Sequence, residues 1–234
     1  PAAVTAAAVF YAFRCLMPPQ TPASAGAFRP IELVLPTPSL LAAEAPAAVA
    51  AGNVETSMRV VDVVLRALAQ ALPERMPAAS QGTMNNLALG AGGDDPWDYY
   101  ETLAGGHGAS AQAPGASAQH SHMTNTLNTP IESVELHYPL RVLAYGLRSG
   151  SGGAGRHTGG EGVLRRYAFL APATLTLLTE RRSVAPWGLA GGEPGRRGRN
   201  VLNGVELPGK VSCKVAPGDV LTVETPGGGG YGHD

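Results

Sequence analysis

The strongest constraint on the fold is a run of apolar residues with helical spacing between residues 54 and 72. Gaps of four and three residues alternate between successive apolar positions: Val54, Met58, Val61, Leu65, Leu68 and Leu72. This spacing places them on one face of an α-helix. Asn53 is positioned to cap the helix and Glu55 lies in its first turn, where a carboxylate suits the helix dipole. We therefore predict a long amphipathic helix that ends at Pro73. The face of the helix opposite the apolar residues points away from the core and carries Arg59, Asp62, Arg66 and Gln70.

The sequence patterns of the remaining elements divide the chain into a helical part and a β-rich part. Residues 2–16 are apolar nearly all round, which is typical of a buried helix. In the second half, short runs rich in β-branched and aromatic residues alternate with turn residues. We predict strands at 31–35, 97–103, 134–144, 163–170, 174–179, 211–215 and 220–224. The fold class is therefore α+β, with an α-rich N-terminal third and a β-rich remainder, and with a possible division into residues 1–90 and 91–234.

The charge pattern argues against two classes of partner. The net charge is −1, and the arginines at 181–182 and 196–199 form short pieces beside glycines and carboxylates rather than a stripe. Non-specific binding to nucleic acid therefore has little support. No apolar run approaches the roughly 20 residues that a membrane span needs. We expect neither a nucleic-acid partner nor a membrane partner.

The composition also bears on assembly and on the compartment. Charged residues are only 15% of the 234 residues, and 31 residues are glycine. Such a surface suggests cover by another subunit or by further parts of the same chain, so we expect an oligomer. Cys15 and Cys213 lie far apart, which favours free thiols in a reducing compartment. Without a secretory signal, we expect a cytoplasmic protein.

The stretch from His120 to Glu132 is unusually rich in groups that can form hydrogen bonds. If His120 and His122 lie in a strand, both imidazoles share a face and could bind one metal or act as a general base. Two ligands are too few for a structural zinc site. The alternative is a hydrogen-bonded pair in a solvated loop. Asn125 and Asn128 could likewise bind a polar substrate or simply stabilise turns.

A second polar stretch, at residues 77–86, has neither helical nor strand periodicity. Its amides, Gln81, Asn85 and Asn86, are suited to holding a substrate, although turn formation explains each of them singly. The tail at 225–232 contains four consecutive glycines. It is either a linker or a segment that approaches a ligand or another chain closely. It is not a Walker loop, because no Lys-Ser/Thr pair follows.

Several multi-residue motifs together resemble the hydantoinase B/5-oxoprolinase family, in family order and over nearly the whole chain. They are Gly52-Asn-Val-Glu-Thr-Ser57, residues 77–86, Tyr99-Tyr-Glu-Thr102, residues 120–126, Arg148-Ser-Gly-Ser-Gly-Gly153, Leu178-Thr-Glu-Arg-Arg182, Gly191-Gly-Glu-Pro-Gly195 and residues 225–232. The resemblance implies ATP-dependent opening of a cyclic amide such as a hydantoin or 5-oxoproline. In that family a hydantoinase A-type subunit or domain uses the ATP and phosphorylates the substrate carbonyl oxygen, which makes a poor electrophile reactive.

The resemblance also implies that this chain is the C-terminal portion of a B-type subunit. The family's metal-associated motifs would then lie in an N-terminal portion, so we expect a divalent metal in the complete protein and no activity from the fragment alone. We predict His120, His122 and, more weakly, Glu132 as catalytic residues. Gln81, Asn85, Asn86, Asn125 and Asn128 are predicted to bind substrate. Two alternatives remain: a non-catalytic scaffold that binds the ATP-handling subunit, and a carboxylation reaction like that of acetone carboxylase.

Overall fold

Two 13-residue α-helices pack against each other at the N-terminal end of the chain. The computed structural model describes residues 1–233. Helix α1 spans Ala2–Arg14 and helix α3 spans Ser57–Ala69. Their small and branched side chains, including Ala8, Ala12 and Val61, form one of two hydrophobic clusters. A four-residue helix, α2, lies between them at Ala25–Phe28.

The amphipathic helix is shorter than its spacing predicts, and two details of that prediction are wrong. Residues Gly52–Thr56 form a π-helical turn ahead of α3, so Asn53 is not the cap residue and lies exposed. Glu55 is buried at 3% exposure instead of lying at an open helix end. Asp62, predicted to face solvent, is also buried at 3% exposure. The first third is thus only partly helical, and the predicted strand at 31–35 has no extended partner and forms no strand.

In the described part of the chain, residues 1–233, nine strands form two antiparallel sheets, so the α+β class is confirmed. The first sheet has the order β2-β1-β5-β8 and the second the order β3-β4-β9-β6-β7. The strands are β1 Asn86–Ala91, β2 Trp97–Thr102, β3 Leu140–Arg148, β4 Gly162–Phe169, β5 Ala173–Leu178, β6 Arg199–Leu202, β7 Val205–Leu207, β8 Lys210–Val215 and β9 Val220–Glu224. The second hydrophobic cluster joins both sheets through residues such as Leu87, Leu175, Tyr167 and Phe169, which are all fully or almost fully buried. Strand β1 was not predicted, since it begins inside the polar stretch.

The predicted strand at 134–144 is wrong in its first half. Residues Ile131–His137 form helix α4, and strand β3 begins only at Leu140. Pro130, in an extended conformation, precedes the helix, and Pro139 separates the helix from the strand. A proline just ahead of a helix supplies its first turn at no cost in hydrogen bonds. The strand preference of the β-branched residues in this stretch was weaker than the tendency of the chain to begin a helix after Pro130.

Glycine-rich segments fill the remaining space without forming helix or sheet. We call residues 105–108, 151–160, 188–195 and 226–232 the glycine bundle. Their backbones are joined by hydrogen bonds, such as Gly228 N to Gly160 O at 2.9 Å and Gly230 N to Glu193 O at 2.8 Å. At Gly228 a Cβ atom would overlap the backbone carbonyl of His107. The tail at 225–232 is buried throughout, so it is a closely packed segment and not a linker.

Two further expectations concern the described residues. Cys15 and Cys213 are both free, as predicted. Within residues 1–233, none of the helices is both long and apolar enough to cross a membrane.

Candidate functional site

A buried carboxylate on α3 organises the first part of the candidate site. We call Arg59, Asp62, His122 and Arg181 the Asp62 cluster. Oδ2 of Asp62 accepts a hydrogen bond from Arg181 Nη2 at 2.6 Å and also pairs with Arg59, one turn earlier on the helix. Gly82 lies so close that a Cβ there would overlap this ion pair. Asp62 therefore joins the helix to the loop around Gln81 and to the loop around Arg181.

His122 brings the polar stretch at 120–132 to the same carboxylate. Its Nε2 lies 3.8 Å from Asp62 Oδ1, and within residues 1–233 neither atom has a hydrogen-bond partner. The backbone at His122 has a φ of 56°, in the left-handed region that few non-glycine residues adopt. Burial, with smaller contributions from His107 and Arg59, lowers the pKa of His122 to about 4. The imidazole is therefore neutral at pH 7.

A second buried carboxylate, Glu55, lies beside the 81–86 loop. We call Glu55, Thr83, Met84, Asn86 and Tyr100 the Glu55 cluster. Oε1 of Glu55 accepts hydrogen bonds from the Thr83 hydroxyl at 3.2 Å, the Met84 backbone N–H at 2.9 Å and the Asn86 amide at 2.8 Å. Its Oε2 is buried and has no partner among the described residues. Burial raises the pKa of Glu55 to about 7, although these hydrogen bonds oppose the rise.

The predicted amide residues of the 81–86 loop differ in whether their side chains keep a hydrogen-bonding group without a partner. Asn85, with a φ of 49°, donates to Gln81 Oε1 at 2.8 Å and to the Leu103 carbonyl at 2.9 Å, and accepts from Arg182 at 2.7 Å. Asn86 donates to Glu55 and to the Leu178 carbonyl and accepts from Tyr100. Only Gln81 keeps a free group, since its buried Nε2 has no partner in the described part of the chain.

The other predicted residues separate into bonded and exposed groups. His120 contacts the Thr124 and Thr126 hydroxyls at 3.3 and 3.1 Å, and burial lowers its pKa. Asn128 donates to Glu101 at 2.9 Å and to the Thr102 carbonyl at 2.8 Å, and accepts from Tyr145. Asn125 and Glu132 are exposed. Within residues 1–233, neither side chain forms a hydrogen bond to the Asp62 cluster or the Glu55 cluster.

The two polar loops are neighbours, because both reach the same residues. Gly82 and His122 each approach Asp62. Thr102 pairs with Asn86 in the β1–β2 register and also accepts from Asn128. A cavity of about 620 Å³ opens beside Asp62, between α3 and the loop that follows β5, and Trp187 is among the residues that line it.

Five charged residues are buried, and the sequence interpretation did not predict their burial: Glu55, Asp62, Glu101, Arg165 and Arg181. For Asp62 a signal existed. It lies four residues after Met58 and three before Leu65, so it borders the apolar face of the helix. Nothing in the sequence pattern reveals that Arg181 folds back against α3 and pairs with Asp62.

The described residues do not fit a complete metal site. Across residues 1–233 there is no group of three or more His, Cys, Asp or Glu side chains that could hold a metal ion. His122 Nε2 and Asp62 Oδ1 would supply only two ligand atoms, fewer than metal sites in proteins normally use.

A comparison with known protein families decides the relationship. The family described as hydantoinase B/oxoprolinase matches residues 1–234. The chain belongs to this family. It is 44% identical over 239 residues to 5-oxoprolinase 1 of Arabidopsis thaliana, covering all of this chain and 18% of that protein. It is 33% identical over 220 residues to the B-type subunit of a putative D-/L-hydantoinase from Pseudomonas sp. (strain NS671), covering 91% of this chain and 37% of that protein.

Solved structures of the family's fold agree with this assignment. The ATP-dependent caprolactamase of Pseudomonas jessenii superimposes with a TM-score of 0.79 at 25% identity, covering 97% of this chain and 42% of that one. Acetone carboxylase superimposes with a TM-score of 0.54 at 19% identity, which shows the shared fold alone. This hydantoinase B-type chain spans about a fifth to two fifths of the length of the curated relatives it matches.

Proposed function

We propose that this chain is part of an enzyme that opens a cyclic amide after ATP-dependent phosphorylation of the amide oxygen by a hydantoinase A-type subunit or domain. The observation that carries the proposal is the family match over the whole chain, together with relatives named as 5-oxoprolinases and as a D-/L-hydantoinase component and a structural neighbour named ATP-dependent caprolactamase. The net chemistry adds water across the ring C–N bond and releases phosphate. Phosphorylation is needed because an unstrained amide reacts slowly with water.

The Asp62–His122 pair supports a role in holding the attacking water. Their facing atoms, Nε2 and Oδ1, are 3.8 Å apart, too far for a direct hydrogen bond and close enough for one water molecule to contact both. A neutral imidazole accepts a hydrogen bond from water. Arg59 and Arg181 pair with the carboxylate and fix its position. His122 is thus our candidate for the residue that orients water, while His120 acts as its neighbour in the same loop.

Glu55 is the group best tuned to move a proton at neutral pH. Its pKa of about 7 lies near the optimum for general acid–base catalysis. The π-helical turn that carries it is an uncommon geometry often associated with functional sites. Gln81 Nε2, a free buried donor, is a candidate to hold a substrate oxygen. We keep Asn85, Asn86 and Asn128 as residues that fix the walls of the site.

A divalent metal in the complete protein remains part of the proposal, and we assign its main ligands to residues outside this chain. The two ligand atoms of His122 and Asp62 border the site without completing it. No step described above requires the metal to be held by residues 1–233. Asn125 and Glu132, which are exposed here, would contribute only if the rest of the protein covers them.

The test is to assemble the full-length protein with its ATP-handling partner and to assay a panel of 5-oxoproline, hydantoin and caprolactam with ATP. We expect ring opening of at least one compound, strictly dependent on ATP. Asp62→Asn and His122→Ala should lower turnover at least tenfold while the partner still co-purifies. Product formation that requires bicarbonate would instead indicate carboxylation. Loss of the partner from either variant would indicate the scaffold alternative.

A further inference from the structure

Half of the basic residues of this chain line two adjoining cavities. Nine of its 17 Lys and Arg residues border the cavity of about 620 Å³ beside Asp62 or a second cavity of about 450 Å³, against three of its 18 acidic residues. The sequence shows these cations as separate short pieces, and the fold brings them together. Arg182 and Ala185 line both cavities. We call the second cavity, with Arg182 at its boundary, the Arg182 cleft.

Arg182 is held in place by neutral groups alone. Its guanidinium donates to Asn85 Oδ1 at 2.7 Å, Asn200 Oδ1 at 2.7 Å and the Glu180 carbonyl at 2.9 Å. No carboxylate within residues 1–233 lies in ion-pair distance of it, and its buried Nε has no hydrogen-bond partner there. Buried charges in proteins are normally paired, because removing them from water is costly. Glu55 and Glu180 stabilise the charge of Arg182 from a distance, and a bound anion would pair with it directly.

Two more cations in the Arg182 cleft are also without a carboxylate partner in the described part of the chain. Arg196 is exposed and makes no side-chain hydrogen bond there, and Arg197 donates only to the Ser183 carbonyl at 3.2 Å. In contrast, Arg148 and Arg199 are paired with Glu224 at 3.0 and 3.8 Å. The cleft thus presents three guanidinium groups that have no direct carboxylate partner within residues 1–233, beside the carboxylate of Glu206, around a space large enough for a small phosphorylated molecule.

The Arg182 cleft is connected to the candidate site by hydrogen bonds. Arg182 bonds Asn85, Asn85 bonds Gln81, and the neighbouring Gly82 contacts the Asp62 cluster. Gly198 allows the close approach on the other side, since a Cβ there would lie 2.7 Å from Arg182 Nη1. An anion bound to Arg182 would therefore be separated by one residue, Asn85, from Gln81, the amide that we propose to hold substrate.

We propose that the Arg182 cleft binds the phosphate group that is transferred to the cyclic amide and later released. Planar guanidinium groups match phosphate oxygens in paired hydrogen bonds. This proposal rests on the proposed function for the source of the phosphate, which is either the phosphorylated substrate or the inorganic phosphate formed from it. The chemistry of recognition is the same for both.

The test uses the full-length protein assembled with its partner, with inorganic phosphate as the probe in calorimetric titration. Arg196→Ala/Arg197→Ala should weaken phosphate binding at least tenfold. The matched control is Arg141→Ala/Arg166→Ala, which removes the same charge from exposed arginines that line neither cavity and should change affinity less than twofold. The ATP consumed per ring opened is measured in parallel. A higher ratio in the cleft variant assigns the site to the phosphorylated substrate, and an unchanged ratio assigns it to released phosphate.

Three results would overturn the proposal: no phosphate binding to the assembled protein, equal weakening in both double variants, or loss of the partner from the cleft variant alone. The last would make the arginines a protein-binding surface. Phosphate binding is measured without turnover. The substrate panel could show no ring opening while phosphate affinity still depends on Arg196 and Arg197. In that case the proposed function is wrong, and the assignment of a phosphate site to the Arg182 cleft is retained.

Discussion

Two buried ionisable residues with opposite pKa shifts lie within the candidate site. Burial raises the pKa of Glu55 to about 7 and lowers that of His122 to about 4. Both shifts favour the neutral form, because a charge is costly where water is excluded. Glu55 and His122 therefore do not add unpaired charges to the site, and the ion pairs of the site are those made by Asp62. The two shifts make opposite contributions to the pH dependence of stability.

For Glu55 we predict a contribution that is lost as pH rises. Below its ordinary pKa of 4.5 the contribution is fully present. Between 4.5 and about 7 the unfolded chain releases a proton that the folded protein keeps, so the free energy of unfolding falls by about 3 kcal/mol. Glu55→Gln should remove about 2 kcal/mol of the change between pH 5 and pH 8 in urea denaturation. Glu32→Gln, at an exposed carboxylate, should leave it as it is.

For His122 the sign is reversed. Its contribution is present above the ordinary pKa of 6.5 and is lost as pH falls through about 4. His122→Asn should therefore narrow the gap in free energy of unfolding between pH 7 and pH 5 by about 2 kcal/mol. The exposed His137, changed to Asn, is the control. A gap of unchanged size in the His122 variant would mean that the imidazole is open to water and titrates normally.

At the scale of elements, the Asp62 cluster fastens α3 to the loop that follows β5. Removing one member of a buried ion pair leaves the other charge uncompensated, which costs several kcal/mol. We predict that Asp62→Ala lowers the free energy of unfolding by about 3 kcal/mol, whereas Asp95→Ala on an exposed loop changes little. Adding Arg181→Gln to Asp62→Ala should restore part of the loss. If the two losses instead simply add, Asp62 and Arg181 are not coupled.

The sequence predicts elements better than it predicts what lies between them. The spacing of Met58, Val61 and Leu65 identified α3, since helical periodicity is a local property. The strands predicted at 163–170, 174–179, 211–215 and 220–224 agree with β4, β5, β8 and β9 to within one residue, whereas β6 and β7 were not predicted. Asp62 was assigned to the wrong face because its burial depends on Arg181, which is 119 residues away. Gly82 and His122 both approach Asp62 through contacts between residues far apart in the sequence. The hypothesis of a shared site rested on the family resemblance and the density of amides.

At the scale of the whole molecule, the glycine bundle connects both sheets to the helical end. More than half of its residues are glycine, so hydrophobic periodicity does not predict how its segments pack. Their backbones approach one another through carbonyl and N–H groups, for example Gly153 N to Gly228 O at 2.8 Å and Gly106 N to Pro226 O at 3.0 Å. The bundle also holds His107, whose Nε2 contacts the His120 carbonyl at 2.9 Å. Rigidity in the bundle is thus transmitted to the loop of His120 and His122.

This arrangement makes one glycine a sharp test of the whole fold. In Gly228→Ala the new methyl group would overlap the backbone of His107, and backbone cannot move aside as a flexible side chain can. We expect the free energy of unfolding to fall by about 3 kcal/mol, at the upper end of overpacking effects. Gly146→Ala is the matched control, because a methyl group there meets nothing within 4 Å. Thermal unfolding of the two variants should differ by several degrees. Equal midpoints would show that the segments pack loosely and that the bundle does not hold the loop of His120 and His122 in place.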